Sequence, residues 1–437
     1  MDSGPIDRYF RMTALGTNVR RETVAGMTTF LAMAYILFVN PSILGETGMD
    51  TDAVFVATGL AAAMGTMIMG LWARYPIALA PGMGLNAFFA FTVVLVMGID
   101  WQVALVGTLV SGVLFFILAV SGVREAIINA IPFQLKLATG AGIGMFIAFI
   151  GLQNAEIIVP YEATYVTLGD LGRPLTLLAI FGVLVTAVLL LRGFKGAVFY
   201  GMILTGALGV ITGLIDPPPA VVSSVPSLAP TFGEAIVNLP ELLTAQLIVV
   251  VFTMLFVDFF DTSGVLIAIA NQAGFLKDGK LPRANRALAS DSIATMGGAV
   301  LGTSTTTSYI ESSAGIAAGG RTGFASVVTS VLFLLALFFS PLLAVVTPEV
   351  TAPALIIVGV LMARGLGEIE WGKLEYAIPA FVTVLAMPLT FSIANGIALG
   401  LLLFPLMMVV KNRWREVHPI GYVLFLVVAA YFIWLVE

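Results

Sequence analysis

The sequence of 437 residues contains no cysteine and a single histidine, His418. Disulfide bonds and thiolate metal sites are therefore excluded, and one imidazole cannot build a histidine-based metal centre. An enzyme of the membrane interior would also lack its usual nucleophile and base, because no predicted span contains cysteine or histidine. Neither a metal nor another cofactor is expected.

Charged side chains are also scarce, at 10% of the residues against 59% hydrophobic ones, with a mean hydropathy of +1.05. No water-soluble core could absorb this composition. We therefore expect an all-α, multi-pass protein in the lipid bilayer of the cell (plasma or inner) membrane. The net charge of −5 says little about partners, and no nucleic-acid partner is expected.

About fourteen apolar stretches are candidate membrane spans, since a spanning helix needs about 20 mostly apolar residues. A further apolar stretch, at residues 420–436, either crosses the membrane or stays partly embedded. The candidate spans cover residues 24–43, 53–72, 84–96, 103–120, 135–151, 175–191, 198–214, 245–268, 287–301, 308–318, 324–344, 354–362, 376–391 and 393–410.

The distribution of basic residues predicts the orientation, because Lys and Arg concentrate in cytoplasmic loops. With the N-terminus in the cytoplasm, nearly all Lys and Arg residues fall in cytoplasmic loops. The predicted outside stretch 216–241 contains none, and Arg173 is the one clear exception. This alternation supports the candidate spans and predicts a cytoplasmic N-terminus.

The two halves of the chain resemble each other. Residues 64–70 resemble residues 296–302, and residues 30–39 resemble residues 252–257. An odd number of spans per half inverts the second half, and in such architectures the substrate site lies near the midplane. We therefore expect a first repeat at residues 1–214, an extracellular connector at 215–240 and a second repeat at 241–437, which includes the additional C-terminal segment.

The third and tenth spans are short and follow sequences that disfavour a helix. A Pro-Gly-Met-Gly segment at residues 81–84 precedes the third span, and a run of Thr and Ser at 303–308 precedes the tenth. Extended backbone at membrane depth is tolerated where protein or a watery cavity surrounds it. We expect two half-helices whose N-termini offer free N–H groups to a substrate, near Asn86 and Glu311.

Three carboxylates lie in these apolar surroundings: Asp258 and Asp261 in the eighth span, and Glu311 in the tenth. Each costs about 2.5–3.5 kcal/mol at membrane depth, so such residues usually mark a substrate or ion path. Asp258 and Asp261 are three positions apart and therefore share one helix face. A carboxylate accepts hydrogen bonds from N–H groups of a neutral heterocycle, and it can also take up a coupled proton. The chain is interpreted as a transporter.

Other interpretations stay open for single residues and for the substrate. Asp258 could be a structural hydrogen-bond partner, Asn86 and the Thr/Ser run could join helices, and Asp291 is expected to cap its helix. A sulfate or bicarbonate carrier of the same fold is the main alternative function, although an anion site favours arginine over acids. An intramembrane enzyme and a channel are further alternatives.

Four segments together resemble one family: residues 32–41, 82–87, 256–264 and 302–312. They look like the AzgA-like hypoxanthine, guanine and adenine permeases of the nucleobase/ascorbate transporter superfamily (nucleobase–cation symporter type 2). The resemblance covers nearly the whole chain. It implies proton-coupled import of purine nucleobases by alternating access. It also implies a uracil-permease-like fold of seven plus seven inverted repeats, in which a core domain moves against a gate domain.

The resemblance further implies roles for individual residues. In that family the eighth-span acid before a Thr/Ser-Gly turn and the tenth-span acid hold the base, and these match Asp261 and Glu311. Asn86 matches the polar residue of the third span, and Asp258 matches the second acid of the eighth span. Asp258, Asp261 and Glu311 are the candidates for proton coupling.

Uracil permeases of the same superfamily add two positions to this set. By similarity to them, backbone groups near Tyr309 and Ile310 would contact the base. Homodimerisation is left open by the sequence.

Overall fold

A computed structural model describes residues 4–121, 132–243 and 281–434. Between them it describes residues 247–248, 250–251, 253–255, 258, 262, 265–266, 269–270 and 273–275. The chain forms two compact units, one of Met1–Val120 with Gly151–Ala354 and the other of Ser121–Ile150 with Leu355–Glu437. Each unit therefore combines segments that are distant in sequence.

The architecture is mostly helical, as the composition predicts. The helices are α1 (Pro5–Phe10), α2 (Val19–Met33), α3 (Ile36–Gly45), α4 (Thr51–Ile68), α5 (Met83–Ala87), α6 (Trp101–Ser121), α7 (Phe133–Asn154), α8 (Pro174–Leu191), α9 (Ala197–Ile211), α10 (Glu234–Val237), α11 (Ala284–Leu301), α12 (Ser312–Ala317), α13 (Gly323–Ala336), α14 (Pro348–Met362), α15 (Leu374–Leu389), α16 (Ile393–Val410) and α17 (Pro419–Trp434). The described residues from 247 to 270 are also helical. The strands are β1 (Leu79–Pro81), β2 (Ile158–Tyr161), β3 (Tyr165–Leu168) and β4 (Thr306–Ser308).

Several α-helices continue at their C-terminal end as a π-helix or a 3₁₀-helix. A π-helix extends α4 over Met69–Ala73 and α5 over Phe88–Val96. A 3₁₀-helix extends α13 over Leu337–Val345 and α14 over Ala363–Glu368. Shorter 3₁₀ turns occur elsewhere at Thr13–Leu15, Leu239–Leu243 and Trp414–Glu416.

With these extensions, eight helices among the described residues are long and apolar enough to cross a membrane. They are Val19–Gly45, Thr51–Ala73, Trp101–Ser121, Phe133–Asn154, Pro174–Leu191, Gly323–Val345, Pro348–Glu368 and Ile393–Val410, and shorter apolar helices lie at Met83–Val96, Ala197–Ile211 and Leu374–Leu389. The prediction of a multi-pass, helical membrane protein is confirmed. The total of about fourteen spans, the two inverted repeats and the crossing of α17 stay predictions.

The expected extended segments before the two short helices are confirmed. β1 leads into α5 and β4 precedes α12, and the two strands pair antiparallel, with Leu79 opposite Ser308 and Pro81 opposite Thr306. Both strands are fully buried. Since buried backbone groups need partners, the pairing allows extended chain to exist within an otherwise helical interior. One strand comes from each predicted repeat.

The loop after α7 forms a β-hairpin that was not among the predicted elements. β2 and β3 pair antiparallel from Ile158 opposite Leu168 to Tyr161 opposite Tyr165. The aromatic and β-branched residues of this short segment favour strands. Next to the hairpin, Glu156 pairs with Arg173, the basic residue that departs from the predicted charge distribution.

The first unit brings two segments together through glycines. A Cβ at Gly323, the first residue of α13, would overlap the carbonyl oxygen of Gly70. A Cβ at Gly70 would in turn lie 2.6 Å from the carbonyl oxygen of Gly323. Backbone atoms cannot rotate away as a side chain can, so the two segments approach this closely because neither residue has a side chain.

Gly323→Ala should therefore destabilise the protein by about 1–3 kcal/mol, because one of the two segments must shift to make room. The melting temperature of the purified protein in detergent measures this effect. Gly140→Ala is the matched control, since a Cβ at Gly140 in α7 would meet no atom within 4 Å. Equal melting temperatures for the two variants would argue against the close approach.

In the second unit, a small charged cluster links the start of α15 to the segment before α17. Arg413 forms ion pairs of 2.6 Å with Glu375, at the start of α15, and with Glu416, shortly before α17. The Arg413 guanidinium holds the pKa of Glu416 below its usual range by donating to it. Glu375 is buried and Glu416 is exposed, and since an exposed pair contributes little to stability, we interpret the Glu416 pair as fixing the geometry of the chain before α17.

Candidate functional site

The candidate site begins where β4 ends and α12 starts. Glu311 occupies the N-cap position of α12 and is partly exposed. Its neighbour Tyr309 is buried, and Ile310 is 43% exposed. The Ser312 hydroxyl accepts a hydrogen bond of 3.0 Å from the backbone N–H of Ala78, which fixes the start of α12 beside β1. Three of the predicted site residues therefore lie in one short turn, at the end of the buried strand pair.

Glu311 has a partner that the sequence does not indicate. The Tyr35 hydroxyl donates a hydrogen bond of 2.7 Å to Oε1 of Glu311. Tyr35 is 1% exposed and lies between α2 and α3, where the first span is interrupted. The ion pairs that occur among the described residues do not involve Glu311.

The sequence carries no local signal for the turn at Tyr35. Pro41 lies inside α3 and cannot donate to the carbonyl of Leu37, and the residue whose backbone it restricts is its immediate neighbour Asn40. Tyr35 lies further upstream and keeps right-handed helical backbone angles. A tyrosine in an apolar span has a hydroxyl that needs a partner, but the sequence does not indicate which residue the hydroxyl contacts.

Asn86 lies beside this turn and is engaged with the protein itself. Its side-chain Oδ1 accepts a hydrogen bond from Ser304, and its Nδ2 lies 3.5 Å from the carbonyl oxygen of Pro81. The Tyr309 hydroxyl donates to the same Pro81 carbonyl. Asn86 is completely buried and joins α5 to the Thr/Ser segment. A role for Asn86 in substrate binding stays a prediction.

A second polar cluster surrounds the hydroxyl of Thr262. Oγ1 of Thr262 lies 3.1 Å from Oδ1 of Asp258, 3.0 Å from Oδ2 of Asp291 and 2.7 Å from Oγ1 of Thr307. The Ser308 hydroxyl lies 3.5 Å from Oδ1 of Asp291. All five side chains are buried. A hydroxyl has a single hydrogen, so Thr262 can donate to only one of the two carboxylates at a time.

The expectation that Asp291 caps a helix is wrong. α11 begins at Ala284, and its N-cap residue is Arg283, so Asp291 lies two turns inside the helix. Its carboxylate is fully buried and faces the Thr262 hydroxyl instead of the end of the helix. Asp261, predicted to bind the base, lies outside the described residues.

Further hydroxyl and amide groups line the same region. Asn40 donates hydrogen bonds of 2.7 and 2.8 Å to the hydroxyls of Thr58 and Thr303. Its Oδ1, and the hydroxyls of Thr305 and Thr306, are buried without a partner among the described residues. Within the described part of the chain, no three His, Cys, Asp or Glu side chains form a metal-ligand group.

Similarity to known proteins decides the family. A family model described as "Permease family" matches residues 20–399. The chain belongs to this permease family. The permease is 57% identical over 436 residues to the guanine/hypoxanthine permease PbuG of Bacillus subtilis, covering 98% of this chain and 99% of PbuG. It is 44% identical over 418 residues to the adenine permease AdeQ of Escherichia coli, covering 95% of this chain and 94% of AdeQ.

These relatives assign the permease to the nucleobase/ascorbate transporter superfamily, which confirms the resemblance read from the four sequence segments. The permease is accordingly a transporter and not an enzyme. Among solved structures, the transmembrane domain of the cyanobacterial bicarbonate transporter BicA matches with a TM-score of 0.66 at 14% identity, covering 86% of this chain and 97% of that domain. The likeness shows the predicted uracil-permease-like fold, and at this identity it shows the fold alone.

Proposed function

We propose that this permease imports purine nucleobases, namely hypoxanthine, guanine and adenine, by alternating access with a co-transported proton. The names of its relatives, guanine/hypoxanthine permease and adenine permease, support purines as the substrate class. The protein acts in the cell membrane with its N-terminus in the cytoplasm.

The observation that carries the proposal is the environment of Glu311. The residue as a whole is partly exposed, one carboxylate oxygen accepts from Tyr35, and no basic side chain pairs with it among the described residues. Such a carboxylate binds N–H donors of a neutral ring, and each charge-assisted bond contributes about 1.5–3 kcal/mol. A sulfate or bicarbonate ion would be repelled at the same place.

The other predicted residues complete the binding site in this proposal. Asp261 provides a second carboxylate for the base, and Asn86 provides an amide close to the turn. Backbone groups near Tyr309 and Ile310 contact the ring. The buried, paired strands β1 and β4 support the proposal, because they present these groups on a fixed backbone.

Asp258 is the proposed carrier of the coupled proton, with Asp261 and Glu311 as the other candidates. The Thr262 hydroxyl lies within 3.1 Å of both Asp258 and Asp291 and has one hydrogen to donate. Both acids are buried against one hydroxyl that can donate to only one of them, and we propose that this pair takes up and releases the coupled proton. A buried acid that gains and loses a proton is suited to coupling transport to the proton gradient.

Uptake of radiolabelled hypoxanthine into proteoliposomes tests the proposal. Unlabelled guanine, hypoxanthine and adenine should compete, whereas sulfate and bicarbonate should not. A protonophore should collapse accumulation but spare counterflow exchange, because exchange needs no net proton movement. Inhibition by the anions without inhibition by purines would reject the proposed substrate, and equal sensitivity of accumulation and exchange would reject proton coupling.

A further inference from the structure

We propose that Tyr35 is a positioning residue that sets the preference among purines by occupying one oxygen of Glu311. The inference rests on the proposed function, since it assumes that Glu311 binds the base. It concerns a residue that neither the sequence motifs nor the relatives assign to the site.

Backbone hydrogen bonds hold both residues of the Tyr35–Glu311 pair in place. The backbone carbonyl of Glu311 accepts a hydrogen bond of 2.9 Å from the N–H of Ala314, which anchors the residue to the first turn of α12. The carbonyl of Tyr35 accepts one of 2.9 Å from the N–H of Val39, which anchors it to the first turn of α3. The Tyr35 ring is buried, so its hydroxyl cannot turn toward solvent for another partner.

This geometry makes the two oxygens of Glu311 unequal. Oε1 already accepts from the Tyr35 hydroxyl, so it has less acceptor capacity left for a ligand than Oε2. A carboxylate that binds two parallel N–H groups uses one oxygen for each of them. A ligand that offers two N–H groups must therefore share Oε1 with the Tyr35 hydroxyl, whereas a ligand that offers a single N–H can use Oε2 alone.

Two purines differ in this respect. Guanine presents a ring N–H and an adjacent amino group on one edge, whereas hypoxanthine presents the ring N–H without the amino group. In the wild-type protein the amino group of guanine must share Oε1 with the Tyr35 hydroxyl. Removing the hydroxyl opens Oε1 to guanine, but with hypoxanthine bound Oε1 is left without a donor, which is unfavourable for a desolvated carboxylate.

The experiment measures inhibition constants of guanine and hypoxanthine in wild-type protein and in Tyr35→Phe, which removes the hydroxyl and keeps the ring. Affinity for hypoxanthine should fall about tenfold and affinity for guanine about twofold or less, so the preference shifts toward guanine by about fivefold or more. Tyr75→Phe is the matched control. The Tyr75 hydroxyl donates to the Pro282 carbonyl, away from Glu311. In this variant the ratio of the inhibition constants of guanine and hypoxanthine should stay at the wild-type value.

The two proposals fail in different ways. A wild-type protein that binds neither base would reject the proposed function, and this inference with it. Wild-type binding of both bases with an unchanged ratio in Tyr35→Phe would reject the role of Tyr35 alone. If Tyr35 had a purely structural role, Tyr35→Phe would weaken the binding of both bases by the same factor, and the ratio of the two inhibition constants would not change. Tyr35→Leu removes the same hydroxyl with different packing and should shift the ratio in the same direction, which keeps the test valid if the first variant folds poorly.

Discussion

Glu311→Gln should abolish saturable purine binding, with a loss of affinity of at least about 100-fold. The change removes the negative charge and replaces one acceptor oxygen with an N–H₂ group. When that group faces an N–H of the base, two donors meet; when it faces the Tyr35 hydroxyl, which can accept, the base is left with a neutral acceptor in place of a charged one. Equilibrium binding of radiolabelled hypoxanthine to the purified protein in detergent measures the loss.

The matched control for this variant is Glu349→Gln, the same substitution in the first turn of α14 in the same unit. It should bind hypoxanthine with wild-type affinity. Both proteins should elute as single species on size exclusion, since a neutral amide at a partly exposed position leaves no buried charge unpaired. If Glu311→Gln bound hypoxanthine with wild-type affinity, the assignment of Glu311 to the binding site would be wrong.

Local sequence signals predicted the features of the fold that depend on neighbouring residues. Pro81 and Gly82 disfavour a helix before the third span, and the Thr/Ser run does so before the tenth, and both segments are extended. The scarcity of charge predicted a helical membrane protein. This signal is also local, since each apolar stretch in the bilayer must form its backbone hydrogen bonds within itself. Of the acids that lie in apolar sequence and were predicted to be in the membrane interior, Asp258 is buried and Glu311 is partly buried.

Partners across long sequence distances could not be predicted in this way. Tyr35 and Glu311 are separated by 276 positions, and the first span alone does not indicate what a hydroxyl at its break contacts. Asp291 looks like a cap because it lies near the start of an apolar stretch. The helix in fact begins at Ala284, among polar and basic residues, which places Asp291 inside it. In both cases a helical pattern indicates that a side chain is buried, but it does not identify the neighbouring segment.

The division of the chain into compact units shows the same limit. The internal resemblance of residues 64–70 to 296–302 relates the two halves by sequence, whereas each compact unit combines segments from both halves. Packing between helices depends on which faces are small, as at Gly70 and Gly323. A repeat describes how the segments are related in sequence, and it does not determine which of them pack together.

Asp258→Asn should eliminate proton-driven accumulation while leaving base-for-base exchange intact. An amide at this position still contacts the Thr262 hydroxyl, but it cannot gain or lose a proton, so it imitates one protonation state permanently. One proton moving through 100 mV supplies about 2.3 kcal/mol, which corresponds to about 50-fold accumulation in the wild-type protein. The variant should equilibrate hypoxanthine across the membrane without concentrating it.

Proteoliposomes with an imposed potential, inside negative, measure this accumulation, and preloaded vesicles measure the exchange. Ser292→Ala is the control, because Ser292 adjoins Asp291 on α11 but donates to the backbone carbonyl of Leu288 at 2.9 Å. It should accumulate hypoxanthine as the wild type does. Asp291→Asn should resemble Asp258→Asn, since either change replaces one of the two acids that face Thr262. If Asp258→Asn still concentrates hypoxanthine and remains sensitive to a protonophore, the coupled proton is carried by another acid, and Asp258 has a structural role.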